Sequence, residues 1–191
     1  MIRIGIVGGI GSGKSYIAKN FGYPVFNADN EVNKIYKKNI KCYKKFKKKF
    51  PKDAISFPIK KKDLIKIIKN NKTNIKKINK IVHPEVKKSM KNFVRKYKKK
   101  KAIVLDIPLL LEEKIYNKKD VLIFIKADKK EVYKRLKKRK NFNEKIYKEL
   151  KKLQLPLHFK KKNSIFSIKN DFKPFAVKKN IKLIKEEIFR K

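Results

Sequence analysis

Eight consecutive residues near the start of the chain could bind phosphate. Residues 8–15 read GGIGSGKS and match G-x-x-x-x-G-K-[ST] at every fixed position. Glycines adopt backbone angles that other residues avoid, so N–H groups can approach phosphate oxygens. Lys14 would reach the β- and γ-phosphates of a nucleotide, and the Ser15 hydroxyl would ligate Mg²⁺. We therefore predict a nucleotide site formed by Gly9, Gly11, Ser12, Gly13, Lys14, Ser15 and Tyr16.

The residues on either side of this loop suit such a site. Residues 2–7 are apolar and predict a buried strand rather than a cleavable leader. A helix is expected from Lys14 to Phe21, with its N-terminus aimed at the bound anion. The loop pattern alone does not distinguish a kinase from a GTPase or an ATPase.

Further along the chain, short apolar runs alternate with helical patterns, as in parallel sheets whose strands are buried on both faces. The predicted later strands are residues 23–27, 102–106, 121–125 and 164–168. Two helices are expected between 128 and 153, separated near 141–143, and a closing helix at 174–189. We predict an α/β fold with a P-loop NTPase-type parallel sheet of about five strands, flanked by helices.

The segment 31–97 is very basic and predicted to be mostly helical. Breaks are expected near Pro51, Pro58 and Pro84, because proline disfavours helix in the residue before it.

The net charge of the chain is +42, from 58 Lys and Arg against 16 Asp and Glu. It could mark a nucleic-acid site, a site for a small polyanion, or a lysine-rich composition. The lysines occur in nearly every segment and the arginines are few, whereas nucleic-acid sites concentrate charge. We favour composition, and expect no specific nucleic-acid partner.

Other features argue against membrane insertion and secretion. No apolar run approaches the roughly 18 residues of a membrane span. The single Cys42 cannot form an intrachain disulfide, so a cytoplasmic location is expected. The sequence does not indicate the oligomeric state.

Several motifs together resemble those of dephospho-coenzyme A kinases. Besides the loop, Asn27-Ala28-Asp29 stands where that family usually carries Asp-Ala-Asp. Further similar segments are His83-Pro84, Asp106-Ile107-Pro108-Leu109-Leu110-Leu111-Glu112, Arg135-Leu136 with Arg139, and Gln154. Their order holds over roughly residues 2–170.

The resemblance implies ATP-dependent phosphorylation of the ribose 3′-hydroxyl of dephospho-coenzyme A, the last step of coenzyme A synthesis, with Mg²⁺ as cofactor. It also implies one kinase domain with a core, an inserted helical lobe for the acceptor and a lid. We assign the core to about 1–30, 101–138 and 163–191, the lobe to about 31–100 and the lid to about 139–162. Rival hypotheses are a nucleoside or nucleotide kinase and, from another class, a nucleic-acid-binding P-loop protein.

Two acids at predicted strand ends are candidates for chemistry. Asp29 is our candidate general base, which would orient the acceptor hydroxyl and take up its proton; a helix cap for a helix starting near Asn30 is the competing role. Asp106 could order Mg²⁺ or could bond to a loop. Glu112 is expected to organise its loop through hydrogen bonds or a salt bridge.

Three further residues are candidates through the resemblance. With Lys14 and Asp29, Arg139 completes the predicted catalytic set, because its planar fork could hold the transferring phosphate. Arg135, one turn earlier on the same predicted helix face, is the second lid candidate. His83 is interpreted as a helix end that shapes the acceptor lobe, since no second ligand at zinc spacing accompanies it.

Overall fold

In the computed structural model, which describes residues 1–71, 73–140 and 142–190, five strands form one parallel sheet. The strand order is β2-β3-β1-β4-β5, and every pairing is parallel. The strands are β1 (Ile2–Gly8), β2 (Val25–Asn27), β3 (Ala102–Asp106), β4 (Val121–Ala127) and β5 (Phe166–Asn170). The predicted fold class is therefore confirmed.

Helices of the described residues follow β1, β2, β4 and β5, as the sequence predicts, whereas β3 is followed directly by β4. They are α1 (Lys14–Asn20), α2 (Ala28–Lys38), α3 (Ile40–Lys49), α4 (Lys61–Asn70), α5 (Asn74–Lys96), α6 (Lys129–Lys137), α7 (Glu144–Lys152), α8 (Leu157–Lys162) and α9 (Pro174–Phe189). None of them is long and apolar enough to cross a membrane.

The chain divides into two compact units, a sheet unit of Met1–Asn27 with Tyr97–Lys191 and a helical unit of Ala28–Lys96. In the sheet unit, alternate residues of the strands point to one face, where α1 and α9 cover them. This core contains Ile4, Ile6, Ile17, Ala18, Phe21, Ala102, Val104, Ile123, Ile125, Ile168, Val177, Ile181, Ile184 and Ile188.

The helical unit is built around α5, which packs against α2, α3 and α4. Its buried residues Ile78, Val82 and Val86 are four positions apart, so they form one face of the helix. Phe46 of α3 is fully buried and meets the ring of Tyr36 edge-on.

The predicted helix break at Pro84 is wrong, because α5 continues through this residue. Proline lacks the N–H that an interior helical position would donate. The buried face formed by Ile78, Val82 and Val86 spans the proline and stabilises the helix on both sides of it. His83 therefore lies within a helix and not at a helix end.

Two strand boundaries also differ from the prediction. The strand predicted to begin at Tyr23 starts at Val25, and the last strand is Phe166–Asn170, two residues later than predicted. Its pairing with β4 runs from Phe166 to Asn170. Ser164 is outside the strand because its N–H bonds to Lys161 at the end of α8.

Between β4 and β5 the structure has one helix more than predicted. The break between α6 and α7 lies in the predicted region: Asn141 is outside the described residues, and the Asn143 side chain caps α7 by accepting the N–H of Ile146 at 3.0 Å. The additional helix, α8, begins directly after Pro156.

Candidate active site

The predicted phosphate loop connects β1 to α1, and its conformation requires glycine at two positions. Gly11 and Gly13 have φ angles of 78° and 89°, in the left-handed region. A Cβ at Gly13 would lie 2.3 Å from Nδ2 of Asn170, and a Cβ at Gly11 would lie 3.0 Å from side-chain atoms of Leu136 and Val132. Backbone strain and close packing therefore both exclude larger residues here.

Lys14 is folded back over this loop. Its Nζ donates to the carbonyl oxygens of Gly9 at 2.7 Å and Gly8 at 3.3 Å. Ser15 and Tyr16, in the first turn of α1, are exposed. The Lys14 ammonium and the Ser15 hydroxyl thus lie together in the first turn of α1, as a motif that binds both phosphate and a metal ion would require.

Asn170, which the sequence did not single out, holds the loop from the end of β5. Its Nδ2 donates to the carbonyl of Ser12 at 2.8 Å, and its Oδ1 accepts the N–H of Phe172 at 2.9 Å. The side chain is buried. The signal that could have found it is a polar residue at the carboxyl end of the last strand, but the predicted strand ended at 168.

The carboxyl ends of β2 and β3 place Asn27 beside Asp106. The two residues are register partners in the sheet, and Asn27 Nδ2 donates to Asp106 Oδ2 at 2.5 Å. Asp106 is 3% exposed. Its carboxylate therefore bonds to the neighbouring strand and not to a loop, the alternative that the sequence left open.

Asp29 lies in the first turn of α2 and is exposed. The alternative of a helix cap is wrong, because α2 already begins at Ala28, directly after β2. A carboxylate in a first turn is still favoured by the helix dipole.

Arg135 and Arg139 do not share a helix face as predicted. The helix α6 ends at Lys137, and Arg139 follows it in an exposed turn with its N–H bonded to Leu136. The Arg135 guanidinium lies 4.3 Å from the ring centroid of Phe172 and its Nε is 4.0 Å from Glu131.

Glu112 organises the segment after β3, as expected. Its Oε1 accepts the N–H of Leu155 at 3.0 Å and lies 2.7 Å from Lys160 Nζ. Lys160 is 1% exposed and also reaches the Gly8 carbonyl at 3.5 Å. Nothing in the sequence distinguishes Lys160, because it stands in a run of three lysines.

Comparison with known proteins identifies the family. The family model for dephospho-CoA kinase matches residues 2–174. The chain belongs to the dephospho-CoA kinase family. It is 35% identical over 170 residues to the dephospho-CoA kinase of Wolbachia pipientis wMel, covering 86% of this chain and 87% of that one.

Two solved structures are similar along the whole length. The dephospho-CoA kinase of Campylobacter jejuni is 25% identical with a TM-score of 0.69, over 98% of this chain and 97% of that one. A Thermus thermophilus protein shares the fold with a TM-score of 0.80 at 23% identity, over the same shares of the two chains.

Family membership confirms the predicted activity. This dephospho-CoA kinase family member is a phosphotransferase with a hydroxyl acceptor, which uses ATP to phosphorylate dephospho-coenzyme A in coenzyme A synthesis. The roles of individual residues, and the lobe and lid ranges, stay predictions.

Proposed function

We propose that the chain transfers the γ-phosphate of Mg-ATP to the ribose 3′-hydroxyl of dephospho-coenzyme A, with the phosphate loop as the nucleotide site. The observation that carries this proposal is the complete loop in a member of this family, with Lys14 folded over Gly8 and Gly9. On nucleotide binding, Lys14 would leave these carbonyls for the β- and γ-phosphates. Gly11 and Gly13 let the backbone N–H groups face the phosphates.

Magnesium suits the oxygen donors near the loop. Mg²⁺ usually takes one or two protein oxygens and completes its shell with phosphates and water. The described residues contain no group of three or more His, Cys, Asp or Glu that could form a site made of protein alone. In our proposal, the Ser15 hydroxyl and the Asp106 carboxylate, oriented by Asn27, hold the ion, which neutralises charge developing on the transferred phosphate.

The transfer step also involves a base for the acceptor hydroxyl and a cation for the transferring phosphate. Asp29, two residues after the end of β2, is proposed to orient the 3′-hydroxyl and accept its proton. Arg139, and secondarily Arg135, would hold the transferring phosphate from the proposed lid at 139–162. The proposed acceptor lobe at 31–100 includes His83.

The direct test incubates the purified protein with ATP and dephospho-coenzyme A, with either Mg²⁺ or EDTA. We expect coenzyme A, with the new phosphate assigned to the 3′ position by phosphorus NMR, only with Mg²⁺ and not from Lys14→Ala. A panel of nucleosides and nucleotides tests the rival acceptors. Faster phosphorylation of any of these would overturn the proposed acceptor.

The charge of +42 does not, in our proposal, serve a nucleic-acid function. Its lysines are spread over helices throughout the chain, so weak binding at low salt is expected from charge alone. Sequence-selective binding near physiological salt, measured by fluorescence anisotropy with labelled oligonucleotides, would contradict this. We propose a cytoplasmic location from the single cysteine, which cannot form an intrachain disulfide.

A further inference from the structure

Lys160 is an exception in a chain rich in lysine. Among the residues that the structure describes, it is the only buried lysine. Removing an ammonium from water costs several kcal/mol unless a partner of opposite charge and hydrogen bonds compensate. The other described lysines avoid this cost by remaining at least partly exposed. The location of Lys160 therefore requires a reason.

The first partner of Lys160 is Glu112, at 2.7 Å. Glu112 also accepts the N–H of Leu155, so one carboxylate holds both the residue before Pro156 and the helix α8 that follows. This pairing explains how the charge can be buried. It does not explain why a cation lies here, since an apolar pair of similar volume often stabilises a protein as well.

The second partner is in the phosphate loop. Lys160 Nζ lies 3.5 Å from the Gly8 carbonyl, the same oxygen that Lys14 Nζ approaches at 3.3 Å. Leu157, one helical turn before Lys160, lies against Gly9, where an added Cβ would be 3.5 Å from Leu157 Cδ2. The start of α8 therefore packs on the loop, and two ammonium groups share one loop carbonyl.

We propose that Lys160 is a positioning residue for the phosphate loop, which keeps the Gly8 carbonyl bonded to a cation when Lys14 turns to the nucleotide phosphates. This inference rests on the proposed nucleotide site. Without a second cation, moving Lys14 would take the charged donor away from this buried carbonyl, a loss that would be subtracted from the affinity for ATP. With Lys160 present, the carbonyl keeps its bond and the loop keeps its shape.

The test replaces the ion pair by neutral side chains of similar size, in Lys160→Met with Glu112→Gln. No unpaired charge is left buried in this double variant, so we expect it to fold. The dissociation constant for ATP, measured by calorimetry without acceptor, should rise about tenfold, the effect of losing one charge-assisted hydrogen bond. In turnover, KM for ATP should rise similarly, while kcat and KM for the acceptor stay within about threefold of the parent.

Among the described residues, a second, largely buried ion pair offers a matched control. Arg3 Nη2 lies 3.0 Å from Asp120 Oδ2, at side-chain exposures of 15% and 2%. Arg3 is near the amino end of β1, whereas Gly8 ends the same strand. Arg3→Met with Asp120→Asn should leave the affinity for ATP unchanged. Equal weakening of ATP binding in both double variants would show general destabilisation and overturn the proposal.

Parent-like ATP affinity in Lys160→Met with Glu112→Gln would overturn the proposal as well. If that double variant fails to fold, Lys160→Gln replaces it, because glutamine retains a donor for Glu112 but lacks the charge. An ATP dissociation constant equal to that of the parent would then overturn the proposal. Calorimetry with ATP alone does not depend on the acceptor. Failure of the parent to make coenzyme A would therefore count against the proposed function and leave the result for Lys160 standing.

Discussion

The sheet unit and the helical unit differ in which polar side chains they bury. Among the described residues, the sheet unit buries Ser12, Asp106, Asp120, Lys160 and Asn170, whereas the helical unit buries only Asn74. Ser12 belongs to the phosphate loop, and Asp106 and Asn170 end the strands β3 and β5. Lys160 reaches the loop carbonyl of Gly8 from α8, and only Asp120 lies away from the loop. Asn74 instead joins two helices, donating to the Ile67 carbonyl of α4 at 3.0 Å.

This difference separates groups buried for chemistry from groups buried for packing. A buried polar group is costly unless it is bonded, so a cluster of them at one edge of a sheet points to a function there. In the helical unit, burial of Phe46, Ile67 and Val82 stabilises the helices without polar cost. Substitutions in the sheet unit should therefore mainly affect turnover, and those in the helical unit mainly affect stability.

Lys14→Ala should give the largest effect and support the comparison. We expect kcat to fall by about 10³-fold or more, because a cation at the transferring phosphate is lost. The melting temperature should change little, since Lys14 contributes charge rather than packing and donates to the loop carbonyls of Gly8 and Gly9. Activity assays and a thermal melt on the same sample check this. Normal turnover would refute the nucleotide-site assignment.

Asp29→Asn tests where the comparison should break, because Asp29 belongs to the helical unit. We expect kcat to fall by about 10²–10⁴-fold, the usual contribution of a general base. Stability should fall by only about 0.3–1 kcal/mol, through loss of negative charge in the first turn of α2.

Glu31→Gln is the matched control, since Glu31 is the other acidic residue of that turn. It should alter stability by a similar amount and leave kcat unchanged. If Asp29→Asn keeps the parent kcat, Asp29 is a structural residue and Asp106 becomes the candidate base.

Arg139→Lys should have a smaller effect on turnover. The charge is retained but the planar fork is lost, so kcat should fall about tenfold through one missing charge-assisted hydrogen bond. Arg95→Lys, an exposed arginine at the end of α5, is the control and should behave like the parent. Steady-state kinetics identical to the parent would make Arg139 a surface residue.

Pro84→Ala tests the comparison in the helical unit, where we expect a change in stability rather than in turnover. It restores an N–H donor inside α5, so the free energy of unfolding should rise by about 1–2 kcal/mol, somewhat less than the intrinsic penalty of proline in a helix. Urea unfolding measures this. If KM for dephospho-coenzyme A also rises, the proline shapes the proposed acceptor lobe. A lower free energy of unfolding would instead contradict the prediction and show that the proline stabilises α5.

The smallest expected effect concerns Cys42 of α3. Burial, and then the Glu85 carboxylate, raise the pKa of this thiol to about 11, against a smaller opposing effect of Lys45. Less thiolate is present at pH 8 than for a free cysteine, so reaction with a thiol reagent should be slow in the folded protein and become fast in urea. Fast reaction in the folded state would show that the helical unit opens readily.

The sequence alone was sufficient for the phosphate loop, the parallel sheet and the family. The loop requires particular residue types at a fixed local spacing, and buried parallel strands require continuous apolar runs such as 102–106. These requirements involve neighbours along the chain, so they can be recognised in the sequence. The closing helix, predicted at 174–189 and observed there, follows from the same local periodicity.

Only the tertiary structure revealed what holds the loop. Asn170 bonds to Ser12 across 158 positions, and Lys160 reaches Gly8 across 152. No local pattern marks Lys160, since a lysine among lysines usually faces solvent. Asn170 ends a strand that the sequence placed two residues too early. Asn170 meets the loop because a parallel sheet brings the carboxyl ends of distant strands to one edge. Lys160 meets it from α8, where Glu112 pairs with its charge. The continuity of α5 through Pro84 also depends on tertiary structure. Burial of one helix face against α2 and α3 outweighs the local preference of proline to end a helix.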